Sequence, residues 1–238
     1  MLKFSPANTK LQKLEKVKVI QPYLDDGRKV YSIDLLAGHT CPYALNCLSR
    51  VIEGKIQDGK HTKFRCYAAS LEVLYKNVYA AHKHNTDLVR AAPDIFSLLH
   101  SSMPKNLGVL RIHSSGDFFN QKYFDAYVKL AELNADRLFY AYTKNLNVWI
   151  KRKNNLPPNL VLTASYGGKL DHLIKPNKLR YAKVVLYKED CNGLELDDND
   201  SHAADPSKRN QNFCLLIHGQ QMPNSEAQRA LQFHKKGK

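Results

Sequence analysis

Three of the five cysteines, Cys41, Cys47 and Cys66, fall in one stretch that follows a strand-like run and precedes a helix-like run. Thiolates are soft ligands. Three of them on a loop at the head of a strand can hold a soft metal centre and leave a fourth coordination position free for chemistry. The last stands in Cys66-Tyr67-Ala68-Ala69, at the mouth of the helix-like run. An odd count of five, in a compartment that keeps thiols reduced, argues against a disulfide framework and for metal or redox use. Cys191 and Cys214 are either ligands of a second site or buried thiols, and Cys214, inside Phe213-Cys214-Leu215-Leu216, reads as core.

A second chemical stretch is His113-Ser114-Ser115-Gly116-Asp117. Small hydroxyl residues and a glycine let a ligand approach the backbone, and Asp117 accepts from an amine or a ribose hydroxyl. Two plainer readings stay open: Asp117 as a helix N-cap and His113 as a core-edge histidine. Asp197, Asp198, Asp200 and His202 form an acidic run whose carboxylates suit a hard metal, against the default of a solvated turn.

These groups need a frame to position them. Strand-like runs at 30–37, 109–113, 138–142, 160–164, 184–187 and 213–217 alternate with helix-like runs at 68–84, 94–103, 121–133, 148–153, 172–178 and 225–233. Such alternation makes βα units on a parallel sheet. Six strands are too few to close an eight-stranded barrel, so the expected fold is α/β, an open or partial (βα)6 barrel of TIM type. Residues 1–26 read as an N-terminal arm or edge strand, and 27–238 as one domain with a cysteine loop at 38–68 and a long loop at 190–212. In parallel βα architectures the site lies at the C-terminal strand ends. Those ends carry the cysteines, His113 to Asp117, Thr143-Lys144, Ser165, Lys188-Glu189 and His218-Gly219.

The chain has 238 residues, enough to bury a sizeable core, and 36 Lys plus Arg against 22 Asp plus Glu give a net charge of +14. A field of that sign attracts polyanions such as nucleic acid, although a basic, soluble surface without that role has the same composition. No apolar run approaches the roughly 20 residues that span a bilayer, and the start lacks a signal-peptide core. A cytoplasmic protein with no membrane partner is expected.

Thr40-Cys41-Pro42 with Cys47, Phe64-Arg65-Cys66-Tyr67-Ala68 and Arg111-Ile112-His113-Ser114-Ser115-Gly116-Asp117-Phe118-Phe119 resemble the bacteriophage "gene product 88" family. So do Phe139-Tyr140-Ala141-Tyr142-Thr143-Lys144 and Leu216-Ile217-His218-Gly219. That family is similar to radical S-adenosylmethionine (SAM) proteins. The resemblance implies a partial barrel with a [4Fe–4S] cluster on Cys41, Cys47 and Cys66. It also implies SAM gripped by Ser114, Ser115, Gly116 and Asp117. Ser165 would join that cofactor site, and Lys144, His218 and His113 would face the substrate. Five and then eighteen residues separate the cysteines, wider than radical SAM proteins usually show, but ligation needs only that the thiolates converge. With a phage origin, the charge points to a nucleic acid or nucleotide substrate in the cytoplasm of a bacterial host. Two other readings stay open. One is a non-catalytic nucleic-acid-binding module with zinc on the thiolates and His39 or His61, and the other is a metal-dependent hydrolase or nuclease using residues 197–202.

Overall fold

A computed structural model describes residues 1–236. The chain is a mixed α/β structure built on one eight-stranded, mostly parallel sheet. It opens with β1 (Phe4–Pro6), α1 (Thr9–Gln12) and β2 (Lys29–Ile33), followed by a separate hairpin of β3 (Ser49–Ile52) and β4 (Lys55–Asp58). Next come α2 (Tyr67–Leu74), α3 (Lys76–Ala91), α4 (Ile95–Ser102), β5 (Leu107–Ile112), α5 (Gln121–Glu132) and β6 (Leu138–Thr143). The remainder is α6 (Leu146–Ile150), β7 (Leu160–Ser165), β8 (Tyr181–Val185), β9 (Glu195–Leu196), α7 (Ser201–Ala204), β10 (Phe213–Leu216) and α8 (Glu226–Lys236).

The strand order is β1-β2-β5-β6-β7-β8-β10-β9. Every neighbouring pair is parallel except the β1–β2 edge. The sheet is open, with β1 and β9 as its edges, and no closed barrel forms. Alternate residues of each strand face opposite sides, so a sheet covered on both faces needs two cores. Leu110, Ile112, Phe139 and Ala141 pack against α3, α4 and α5 through Val89, Leu99, Phe124 and Tyr127. Val109, Leu138, Tyr140 and Val161 face the other way, onto Leu11, Leu14, Ile20, Ala203 and Ala204. Residues 1–26 therefore supply an edge strand and part of the second core.

Three departures from the sequence pattern have local causes. The helix expected over 68–84 is two helices, because Tyr75 is extended (φ −126°, ψ 102°) and ends α2 before α3 begins. The polar stretch within the cysteine loop is the β3–β4 hairpin, whose turn places Glu53 and Gly54 at φ 50° and 73°. The expected long loop at 190–212 carries β9 and α7, and α7 covers the second core.

Candidate functional site

The cysteine loop leaves the end of β2 and is stitched along the end of β7. Asn46 N donates to the Gly167 carbonyl (2.9 Å), Lys169 N donates to the Tyr43 carbonyl (2.9 Å), and Ala44 bridges to Gly168. The β3–β4 hairpin then returns the chain to Cys66. Arg65 pairs with Asp58 (2.5 Å), Ser49 Oγ donates to Asp58 (2.8 Å), and Cys66 N donates to that same Ser49 oxygen (3.3 Å). Cys66 is the N-cap residue of α2, and Gln221 anchors the segment from the far end of the chain by bonding both Arg65 N and Arg65 O.

This folding brings Cys41, Cys47 and Cys66 into one neighbourhood. All three are free and half-buried. Burial pushes the Cys66 thiol up to about 12 and Cys47 adds to the rise, while the N–H groups of Ala69 and Ala68 pull it back. Cys41 is raised well above its ordinary value by burial, then by Asp117, Cys66 and Cys47. The thiols thus burden one another, and the main opposing pull on each comes from backbone N–H groups. Among the described residues no group of three or more His, Cys, Asp or Glu side chains is already set as a metal site. A soft metal therefore fits the donor type and the shared location, while a preformed ligand cage is absent from the described residues.

The Ser114–Asp117 segment lies directly beneath and is heavily bonded to the frame. Ser115 N donates to Asp34 (2.8 Å), and Ser115 Oγ donates to the Leu35 carbonyl (2.7 Å) and reaches Glu72 (3.2 Å). The Ser114 carbonyl accepts from the Tyr67 hydroxyl. A Cβ on Gly116 would meet Thr40 Oγ1 at 2.7 Å and Leu35 Cβ at 2.8 Å, so only glycine lets the two loops close. Asp117 accepts from Thr143 Oγ1 (2.6 Å), Lys144 N (2.8 Å) and Phe118 N (2.7 Å). Burial nevertheless raises its pKa to about 6. It does not cap α5; Asn120 does, accepting from Tyr123 N (2.8 Å).

The remaining expected residues divide. His218 comes to the cysteine loop, its ring 4.6 Å from that of Tyr67. Gly219 permits this approach, since a Cβ there would stand 2.6 Å from Tyr67 Cβ. Burial, then Lys10 and Arg111, lower the His218 pKa to about 4. Lys144 Nζ donates to Ser165 O (2.9 Å), Ser165 Oγ (2.8 Å) and Tyr166 O (2.9 Å), which uses all three ammonium hydrogens. His113 turns away. At φ 66° it leaves the sheet on the α5 side, where Nε2 bonds the Tyr123 hydroxyl (2.9 Å) and the ring packs edge-on to Phe118. Burial drops its pKa to about 3, so it is a neutral core histidine.

Glu72 carried no sequence signal of its own, whereas Asp197, Asp200, His202 and His39 are candidate ligands that the structure ties to the frame. Glu72 is buried on α2, where one oxygen takes Ala37 N (2.9 Å) and His82 Nδ1 (2.8 Å) and the other has no partner. Asp200, the N-cap residue of α7, pairs with Arg111 of β5 (2.7 Å) and Lys10 of α1 (2.8 Å) and accepts from Tyr140 (3.1 Å). Asp197 accepts from Ala203 N (3.1 Å), and His202 pairs with Glu195 (3.1 Å). Asp198 is exposed, while Asp197, Asp200 and His202 help to hold α7 in place. His39 is committed likewise, Nε2 to the Val51 carbonyl (2.9 Å).

A family match to "Gene product 88" runs over residues 2–235. The chain belongs to that family. Relatives include the "Gene 88 protein" of Mycobacterium phage L5 and that of Mycobacterium phage D29. Each is 34% identical over 90 residues, a match covering 33% of this chain and 38% of the relative. The chain therefore matches well under half the length of these curated relatives. No solved structure matches. No helix among the described residues is long and apolar enough to cross a membrane.

Proposed function

We propose that this protein is an iron–sulfur enzyme of radical SAM type. In this reading Cys41, Cys47 and Cys66 hold a [4Fe–4S] cluster at the C-terminal end of a half-barrel made by β2, β5, β6, β7, β8 and β10. When bound, such a cluster supplies an electron and an open iron at which SAM is reductively cleaved. The observation that carries the proposal is the gathering of three thiols, distant in sequence, at the rim where parallel βα folds place their chemistry.

The chain's own residues then have separate tasks. The β3–β4 hairpin and Gln221 fix Cys66. Asp117, carrying a proton more readily than an ordinary carboxylate, stands beside Cys41 and lowers the local negative charge when protonated. Tyr67 and His218 form an aromatic wall facing the Arg111–Asp200–Lys10 group. Lys144 and Ser165 tie β6 to β7 under the loop. A nucleic acid or nucleotide is the substrate the charge favours.

Anaerobic purification followed by reduction in the presence of SAM tests the proposal. The expected result is a brown protein with broad visible absorption that consumes SAM, and a Cys66→Ala variant that does neither. A colourless protein with stoichiometric zinc would replace the enzyme with a zinc module.

A further inference from the structure

Beside the end of β7 lies a cavity of about 620 Å³, and the charge around it is unbalanced. Its lining includes Tyr166, Tyr181, Lys175, Lys178, Arg180 and Asp171. Asp171, its one acidic residue, is spent on the backbone, accepting from Gly167 N (2.8 Å) and Gly168 N (2.9 Å). Arg180 is 3% exposed and bonds only neutral groups, among them the carbonyls of Ala203 (3.0 Å), His202 (3.3 Å) and Lys208 (3.2 Å). Its Nε has no partner, and none of the ion pairs among the described residues includes Arg180, Lys175 or Lys178. Burial, with the like charge of Arg209, lowers its pKa to about 10 against the opposing pull of Tyr142, Asp197 and Asp205, so the guanidinium keeps its positive charge behind the cavity wall.

Aromatic surface adjoins these cations. Tyr166, 38% exposed, meets Tyr181 edge to face with centroids 5.4 Å apart. Two exposed lysines beside an exposed aromatic ring match the phosphates and bases of a single strand. The cavity wall is also continuous with the candidate site. The Tyr166 carbonyl accepts from Lys144 (2.9 Å), and the next carbonyl, Gly167, accepts from Asn46 of the cysteine loop (2.9 Å).

We infer that this cavity is a binding groove for single-stranded nucleic acid, with phosphates on the exposed Lys175 and Lys178, the buried Arg180 adding positive charge behind them, and a base stacked on Tyr166. The groove leads a strand toward the thiols. It deepens the proposed function by naming its substrate class, but binding here needs no metal. Loss of the cluster and loss of the groove are therefore separate results.

Fluorescence anisotropy of a short labelled single-stranded oligonucleotide, read across a salt series with the full chain, tests the inference. Lys175→Glu with Lys178→Glu should weaken binding by about tenfold or more and flatten the slope of log affinity against log salt by about 1.4, two phosphate contacts' worth. Tyr166→Ala, which leaves the charge alone, should weaken it about tenfold. Lys105→Glu with Lys122→Glu lowers net charge equally at surface positions outside the groove and should cost no more than about threefold. Affinity should be the same before and after a chelator strips metal from the protein, and a loss on stripping would overturn binding at the groove alone. Equal losses in the two double variants would assign binding to the overall charge and overturn the groove. So would full affinity in Tyr166→Ala, or inorganic phosphate binding with no affinity for the oligonucleotide.

Discussion

His113 and Asp117 share one five-residue stretch, and burial moves their proton equilibria in opposite directions. His113 falls from 6.5 to about 3. Its contribution to stability is complete above pH 6.5 and is lost as pH falls toward 3. Asp117 rises from 3.8 to about 6, so its contribution is complete below 3.8 and is lost as pH rises through 6. Between about pH 4 and 6 the two oppose each other at about 1.4 kcal/mol per pH unit each. His113→Asn, a residue that tolerates the left-handed backbone, should isolate the first. The stability difference between wild type and variant, from urea unfolding at pH 6.5 and 4.5, should shrink by about 2 kcal/mol at the lower pH. A difference that does not move would mean that His113 is not held neutral in the fold. The types and spacing of the cysteines were legible in the sequence because soft ligands on one loop have few other uses. The direction of His113 was not, since it depends on one positive φ at the end of β5.

At the scale of elements, six parallel strands were legible as short apolar runs, and each is in the sheet. An edge strand was expected somewhere in residues 1–26, and β1 supplies it, but β9 and the β3–β4 hairpin were not legible, because they are two to four residues long and carry little burial pattern. Nor could the sequence foretell that α7 and α1 meet on one face of the sheet through Asp200. That contact joins Lys10, Arg111 and Asp200, residues remote in the chain, and depends on packing rather than periodicity. Asp200 is buried, and Arg111 beside it keeps its carboxyl below the usual range. Asp200→Asn keeps the backbone conformation at φ 64° but leaves Arg111 buried without its counter-charge. Loss of a buried partner costs about 3–5 kcal/mol. Chemical denaturation should show a destabilisation of that size, and a change below about 1 kcal/mol would remove the pair as the anchor of α7.

The whole molecule joins an open parallel sheet, cored on both faces, to one rim that collects thiols, aromatics and cations. The whole chain carries a net charge of +14, whose attraction for any polyanion is strongest at low salt. The account stands on three sulfur ligands sharing one centre, and metal content reads this most directly. Iron and acid-labile sulfide should be measured in anaerobically purified wild type beside Cys66→Ala. An iron–sulfur centre on these thiols requires about 4 of each per wild-type chain and a loss of most of both in the variant. Equal iron in both proteins, or none in either, would contradict it.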